Sequence, residues 1–112
     1  MTLEDLGAAL DALRGWGSDW AILTLGELGA LFAAGDRRWS ARPPKVEAIN
    51  PIGSGDAMTA GLMAGVVRGL PPEESFRLGM AAAAANTLTW DACRFDAAAV
   101  EALVPEVELV PL

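Results

Sequence analysis

Two segments that are apolar almost all the way round constrain this chain more than anything else in it. The first, Asp56 to Arg68, places Ala57, Met58, Leu62, Met63, Val66 and Val67 on every side of a predicted helix. Within it Ala57, Gly61 and Gly65 recur every fourth residue, as do Ala60 and Ala64, so a second backbone can approach closely. The second segment opens on Glu73 and Glu74, where acidic residues suit a helix's positive end. It continues through the Ala81 to Ala85 run to about Leu88. Helices without a polar face need cover on several sides. In 112 residues there is room for one modest core, and the rest of the chain predicts only short strands and two lesser helices. The pattern predicts an α/β chain that is part of a larger layered unit, and an incomplete one.

Those remaining elements follow from periodicity and breakers. Thr2 followed by Asp5 has the form of a capping box, and Leu3, Leu6, Leu10 and Leu13 then share one helical face. Gly15 and Gly17 stop that helix. Trp20 to Leu25 is an apolar strand, of the kind usually covered on both faces. Ala30 to Ala34 and Arg37 to Ala41 flank Gly35-Asp36 as a hairpin, ended by Pro43 and Pro44, which cannot donate to a ladder. Lys45 to Ile49 alternates polar and apolar residues and predicts a further strand. Gly69 and Pro71-Pro72 end the first apolar helix. Asp96 is a cap for a short helix through Leu103, and Val107 to Val110 predicts a last strand.

Composition removes several classes of function. The net charge of −7 argues against a non-specific nucleic-acid binder, whose affinity comes from Lys and Arg on phosphates. The absence of histidine excludes a Ser-His-Asp triad and a His-based metal site within this chain. Cys93 is the single cysteine, so no intrachain disulfide forms, which fits a reducing compartment. The longest near-continuous apolar run, Ala57 to Val67, falls short of the ~18 residues of a spanning helix. Residues Met1 to Leu6 lack the basic flank and apolar stretch of a signal peptide. The expected setting is the cytoplasm, with no membrane and no nucleic acid as partner.

The segment with chemistry in it is Gly53-Ser54-Gly55-Asp56, at the start of the first apolar helix. The free N–H groups of a helix's first turn, at the positive end of its dipole, form an anion site. Gly53 and Gly55 lack a Cβ, so phosphate oxygens can reach the backbone amides. An acidic protein can bind a polyphosphate there without a basic patch. Asp56 stands beside that site, where it could accept a proton from a hydroxyl attacking a phosphoryl group. Taken alone, Gly-x-Gly-Asp more often marks a tight turn with an acid favouring a helix start. It is neither a Walker A loop nor a Gly-x-Gly-x-x-Gly fingerprint.

The order of elements adds to that. Thr24-Leu25-Gly26-Glu27-Leu28-Gly29 is a strand end followed by a two-glycine turn. A hairpin, the run Ile49-Asn50-Pro51-Ile52-Gly53-Ser54-Gly55-Asp56-Ala57-Met58-Thr59-Ala60-Gly61 and an Ala-rich helix ending in Asn86 come next. In that order, from about Leu3 to Leu112, the chain resembles the C-terminal part of the PfkB (ribokinase-like) carbohydrate kinases. Asn-Pro before the glycines is closer to the 1-phosphofructokinase and tagatose-6-phosphate kinase branch.

The resemblance implies a three-layer, Rossmann-like α/β sandwich, of which residues 1–112 are the C-terminal, nucleotide-binding portion. It implies transfer of the γ-phosphate of ATP, with Mg2+, to a sugar phosphate of the fructose 1-phosphate or tagatose 6-phosphate type. Asp56 matches the family's catalytic base, and Gly53, Ser54 and Gly55 match its anion hole. Thr24, Gly26 and Gly29 match the turn bordering the nucleotide phosphates. Asn86 falls where the family's second helix lines the adenine and ribose pocket; its other reading is a solvated or capping residue. No metal-ligating side chain is assigned.

Departures are also present. The family's N-terminal sugar-binding and lid region and its Asn-x-x-Glu motif linked to magnesium are absent from these residues. Trp90-Asp91-Ala92-Cys93-Arg94 stands where a glycine pair is expected. A rival reading is therefore a truncated non-catalytic nucleotide-binding remnant, or a half-enzyme requiring a partner chain. Self-association or a missing N-terminal half would then cover the apolar helices. An unrelated α/β interaction domain with two structural glycine turns is a third. Arg37, Arg38 and Arg42 read as a solvated hairpin, Trp16, Trp20, Trp39 and Trp90 as packing, and Met58, Met63 and Met80 as core. Cys93 reads as an ordinary buried thiol.

Overall fold

The computed structural model describes residues 2–112, and the Leu3 side chain, part of the predicted leucine stripe, lies outside the described residues. The chain forms two compact units: the chain through Arg42 with Leu109–Leu112, and Pro43–Glu108.

In the first unit, helix α1 (Leu3–Gly15) starts at the predicted capping box. The Asp5 N–H donates to Thr2 Oγ1 at 3.1 Å, and the Thr2 N–H donates to Asp5 Oδ2 at 2.9 Å. The backbone bond from Thr2, then its hydroxyl, holds the Asp5 carboxyl below its ordinary pKa. Leu10 is buried with Ala21, Leu31 and Ala33, and Leu6, Leu13 and Leu23 pack around them. Three antiparallel strands receive that face. Strand β1 (Trp20–Thr24) pairs with β2 (Ala30–Ala34), and β2 pairs with β3 (Arg37–Arg42). The register runs from Trp20 opposite Ala34 to Thr24 opposite Ala30, then from Ala34 opposite Arg37 to Ala30 opposite Ala41. Strand β4 (Glu108–Pro111) completes the order β1-β2-β3-β4.

The hairpin at Gly35-Asp36 is where the sequence places it. Strand β2 is buried throughout, as an interior strand with only Ala, Leu and Phe should be. Phe32 stacks on Trp39 and meets Trp20 edge-on, each at 5.4 Å between ring centroids. The expected double cover of β1 is not found: only Ala21 is buried, because β1 is an edge strand among the described residues. The basic cluster lies on a solvated hairpin as expected, with Arg37 and Arg42 exposed and Arg38 partly so. Arg38 pairs with Asp11, and the Arg37 guanidinium lies 4.6 Å above the Trp39 ring. Trp16 and Trp90 are exposed, so packing accounts for two of the four tryptophans.

The second unit is built on the two apolar helices, α2 (Ser54–Val67) and α3 (Pro72–Thr87). Their small residues do what the spacing predicts. A Cβ on Gly61 would lie 2.9 Å from Ala82 Cβ, Gly79 Cα and the Leu78 carbonyl oxygen. One on Gly65 would lie 2.5 Å from Ser75 Oγ. Helix α2 ends with the Gly69 N–H on the Val66 carbonyl and the Leu70 N–H on the Gly65 carbonyl, which satisfies its last turn. Helix α4 (Ala97–Leu103) is capped by Asp96, which accepts from the Ala99 N–H at 2.8 Å. Arg77 ties α3 to the chain beyond α4 by donating to the Val107 carbonyl at 2.6 Å.

Three expectations are corrected in this unit. Lys45 to Ile49 forms no strand. Pro43 and Pro44 remove two donors, and the Ile49 and Asn50 N–H groups go instead to the Thr87 carbonyl, at 2.6 and 3.0 Å. Met63 is exposed, while Met58 and Met80 are core residues. Cys93 is exposed, not buried. Among the described residues no helix is long and apolar enough to cross a membrane.

Candidate functional site

The turn before α2 is built by proline, glycine and two asparagines. Asn50 Oδ1 accepts from the Ile52 N–H at 3.1 Å, and Asn50 Nδ2 donates to the Trp90 carbonyl at 2.8 Å. The Ser54 N–H donates to the Pro51 carbonyl at 3.2 Å, closing a turn over Ile52 and Gly53. Gly53 has φ 86° and ψ 0°, the third position of a type II turn, which only a residue without Cβ adopts freely. Space matters there too, since a Cβ on Gly53 would lie 2.9 Å from Ala92 Cβ.

Helix α2 begins immediately afterwards. Its first intrahelical bond runs from the Ala57 N–H to the Gly53 carbonyl at 2.9 Å. In a regular helix the Gly55 and Asp56 N–H groups would take the Pro51 and Ile52 carbonyls. Here Pro51 accepts from Ser54, and Ile52 accepts from a side chain described below. Among the described residues the Gly55 and Asp56 N–H groups meet no acceptor, and both residues are exposed. Around Gly55 nothing lies within 4 Å of where a Cβ would stand. The result is a helix N-terminus with two free donors, open space where a Gly55 Cβ would stand and one exposed carboxylate, Asp56, on the same turn. Such a terminus can hold an anion.

Asn86, near the end of α3, is the buried support of this turn. Its side chain is 0% exposed. Nδ2 donates to the Ile52 carbonyl at 2.8 Å and to Ser54 Oγ at 3.1 Å. Oδ1 accepts from the Cys93 N–H at 2.6 Å. A carbonyl can only accept and an N–H can only donate, so these partners fix which way the amide faces. Asn86 is thus neither solvated nor a helix cap. Cys93 itself has φ 57°, the left-handed region glycine favours, at the segment where the sequence shows no glycine. Its Sγ reaches the Gly53 carbonyl at 3.5 Å. An open hollow of about 350 Å³ lies beyond the end of α3, lined by Ala85, Leu88, Thr89, Arg94, Phe95 and Asp96 among others.

The structure gathers Gly53, Ser54, Gly55, Asp56 and Asn86 in the second unit. Thr24, Gly26 and Gly29 belong to the first. There, Gly26–Leu28 forms a 3₁₀ turn after β1, closed by the Leu25 N–H on the Gly29 carbonyl at 2.8 Å. Gly29 has φ 105°, and a Cβ on it would stand 2.0 Å from the Ala41 carbonyl oxygen. No other residue fits that position without moving β3. Sequence reasoning missed Asn50 as a brace. The signal for it was available, since Asn before Pro-x-Gly is a turn former whose side chain bonds the backbone two residues on. No three His, Cys, Asp or Glu side chains gather as a metal cage among the described residues.

A fold of this kind, with a glycine turn opening onto a helix packed on a second, Ala-rich one, is that of the ribokinase-like α/β kinases. Residues 1–95 match the model of the pfkB family carbohydrate kinases, and the chain belongs to that family. It is 44% identical over 79 residues to a cytidine kinase of Thermococcus kodakarensis, covering 69% of this chain and 28% of that protein. It is 31% identical over 109 residues to 1-phosphofructokinase of Escherichia coli K12, covering 97% of this chain and 35% of that one. A crystal structure of a Staphylococcus aureus protein provisionally named a phosphofructokinase superposes with a TM-score of 0.89 at 28% identity. The match covers 100% of this chain and 36% of that one. The chain therefore spans about a third of the length of the relatives it matches.

Proposed function

We propose that this chain carries the phosphoryl-transfer end of an ATP-dependent sugar kinase, acting in the cytoplasm on a sugar phosphate of the fructose 1-phosphate or tagatose 6-phosphate type. The observation that carries the reading is the start of α2, with unpaired N–H groups at Gly55 and Asp56, open space where a Gly55 Cβ would stand and the Asp56 carboxylate on the same turn. ATP with Mg2+, when bound, supplies the transferable phosphoryl group and neutralises part of its charge. The Gly55 and Asp56 amides and the Ser54 hydroxyl hold phosphoryl oxygens, and Gly53 sets the turn that presents them. Asp56 accepts the proton of the acceptor hydroxyl. Thr24, Gly26 and Gly29 border the nucleotide phosphates, and the hollow beyond α3 takes the base. Mg2+ arrives on the nucleotide, a common arrangement for a cation that keeps its waters and binds through phosphates.

The residues present fit a polyphosphate on physical grounds. An acidic chain has little net attraction for phosphate, so the free amides and the dipole of α2 must supply it. The test is turnover with fructose 1-phosphate, tagatose 6-phosphate and cytidine as acceptors. Asp56→Asn should lower turnover by ~10²–10⁴-fold, the usual contribution of general base catalysis, with nucleotide binding nearly intact. Undiminished turnover would remove Asp56 from the mechanism.

A second reading is favoured by a different observation. Met63, Val66 and Val67 on α2 and Leu70 after it are exposed, Val67 by 83%. Apolar surface grouped in this way marks an interaction site. A partner chain or a second copy covering that face would make this a half-enzyme. Light scattering showing a stable monomer would count against that reading.

A further inference from the structure

We infer that Asn86 is a positioning residue: from inside the protein it keeps the anion-binding turn open, without touching the ligand. The inference rests on the reading of Ser54, Gly55 and Asp56 as an anion site. Its grounds are three hydrogen bonds and complete burial. The Ile52 carbonyl is the group that the Asp56 N–H would use to continue α2 backwards by one residue. Asn86 Nδ2 occupies that carbonyl at 2.8 Å. With the Ile52 carbonyl held toward the Asn86 amide, the Asp56 N–H makes no helical bond to it and stays free.

The second hydrogen of Nδ2 goes to Ser54 Oγ at 3.1 Å. A hydroxyl has one proton and two lone pairs. Because Ser54 Oγ accepts from the buried amide, its own proton is left to point away from Asn86, available to an anion oxygen. Oδ1 meanwhile accepts from the Cys93 N–H, which holds the 90–94 segment against the turn. Both donors of the amide are used and no part of the side chain is exposed. Contact with a nucleotide is left to its neighbours on the hollow, Ala85 and Thr89.

The experiment is NMR of the backbone amides in the full chain, in Asn86→Asp and in Asn86→Leu. Asn86→Asp keeps an acceptor for the Cys93 N–H and removes the donor to Ile52; Asn86→Leu removes both at similar volume. In each folded variant the Ile52 carbonyl turns to the Asp56 N–H, whose hydrogen exchange slows by up to about tenfold. Shifts of the Gly55 and Asp56 amides on adding inorganic phosphate, present in the original chain, disappear. Unchanged exchange at Asp56 with retained phosphate shifts, accompanied only by a lower melting temperature, would reduce Asn86 to a plain structural strut and overturn the inference. Should neither variant fold, scalar coupling from Asn86 Nδ2 to the Ile52 carbonyl in the original chain decides it: its presence supports the inference and its absence overturns it. Amides at Gly55 and Asp56 that ignore phosphate in the original chain would refute the anion site itself. The exchange measurement needs no ligand and still decides the role of Asn86.

Discussion

Gly53 and Gly55 lie two residues apart, and alanine at each should have opposite consequences. At Gly53 the backbone sits at φ 86°, and left-handed backbone costs a residue with Cβ ~1–2 kcal/mol. The new methyl would also stand 2.9 Å from Ala92 Cβ and 3.3 Å from Cys93 Sγ. Both neighbours are exposed and can shift, so the added cost stays small and Gly53→Ala should destabilise by ~1–3 kcal/mol. At Gly55 neither problem exists, because φ is ordinary and nothing lies within 4 Å. Alanine is also the better helix former, so Gly55→Ala should be neutral or stabilise by up to ~1 kcal/mol. In a domain of this size 1 kcal/mol moves the melting temperature by roughly 4–8 °C. The two variants should therefore separate clearly in a thermal melt read by circular dichroism. A phosphate titration of the same samples should show the Gly55→Ala methyl blocking the approach to the amides it stands beside. Gly55→Ala that destabilises like Gly53→Ala would refute the geometry of the turn. Gly55→Ala that leaves the phosphate response untouched would refute the approach of an anion from that side.

Other consequences follow from the same packing and capping. Gly61→Ala should cost ~1–3 kcal/mol in urea unfolding, because its methyl meets α3 backbone at Gly79 and Leu78; a neutral outcome would mean the two helices are not this close. Asp96→Ala should cost ~1 kcal/mol by loss of the cap on the Ala99 N–H, seen as fraying of α4 in hydrogen exchange. The Asp5 carboxyl has a folded pKa lowered by its bonds to Thr2, so its contribution is complete above the ordinary Asp value of about 3.9. That contribution is lost as pH falls through the lower, folded value. Helix α1 should then fray first at its N-terminus in an acid titration, and Asp5→Asn should remove that pH dependence.

Much of this architecture could be read from the residues. The capping box at Thr2, the hairpin at Gly35-Asp36, the two small-residue helices and the Asp96 cap all depend on chemistry within a few residues. What could not be read depends on partners far along the chain. Lys45 to Ile49 alternates like a strand, yet the carbonyl that takes the Ile49 N–H belongs to Thr87. Asn86 is a polar residue on an apolar helix, and only the turn at Ile52 and Ser54 explains why it is buried. A free Cys usually packs inside, but Cys93 stands among Asp91, Arg94 and Asp96 and is exposed. Here it completes a left-handed bend that grips Gly53 from outside α2. The candidate site was legible as a motif; its internal support was not.

The most direct test is a calorimetric titration with Mg-ATP of the chain, of Asp56→Asn and of Gly55→Ala. Binding by the chain and by Asp56→Asn, with loss in Gly55→Ala, is the predicted result, because the amides hold phosphate and the carboxylate serves the transfer step. A folded chain that takes up no nucleotide, or a Gly55→Ala variant that binds as well as the original, would contradict the account.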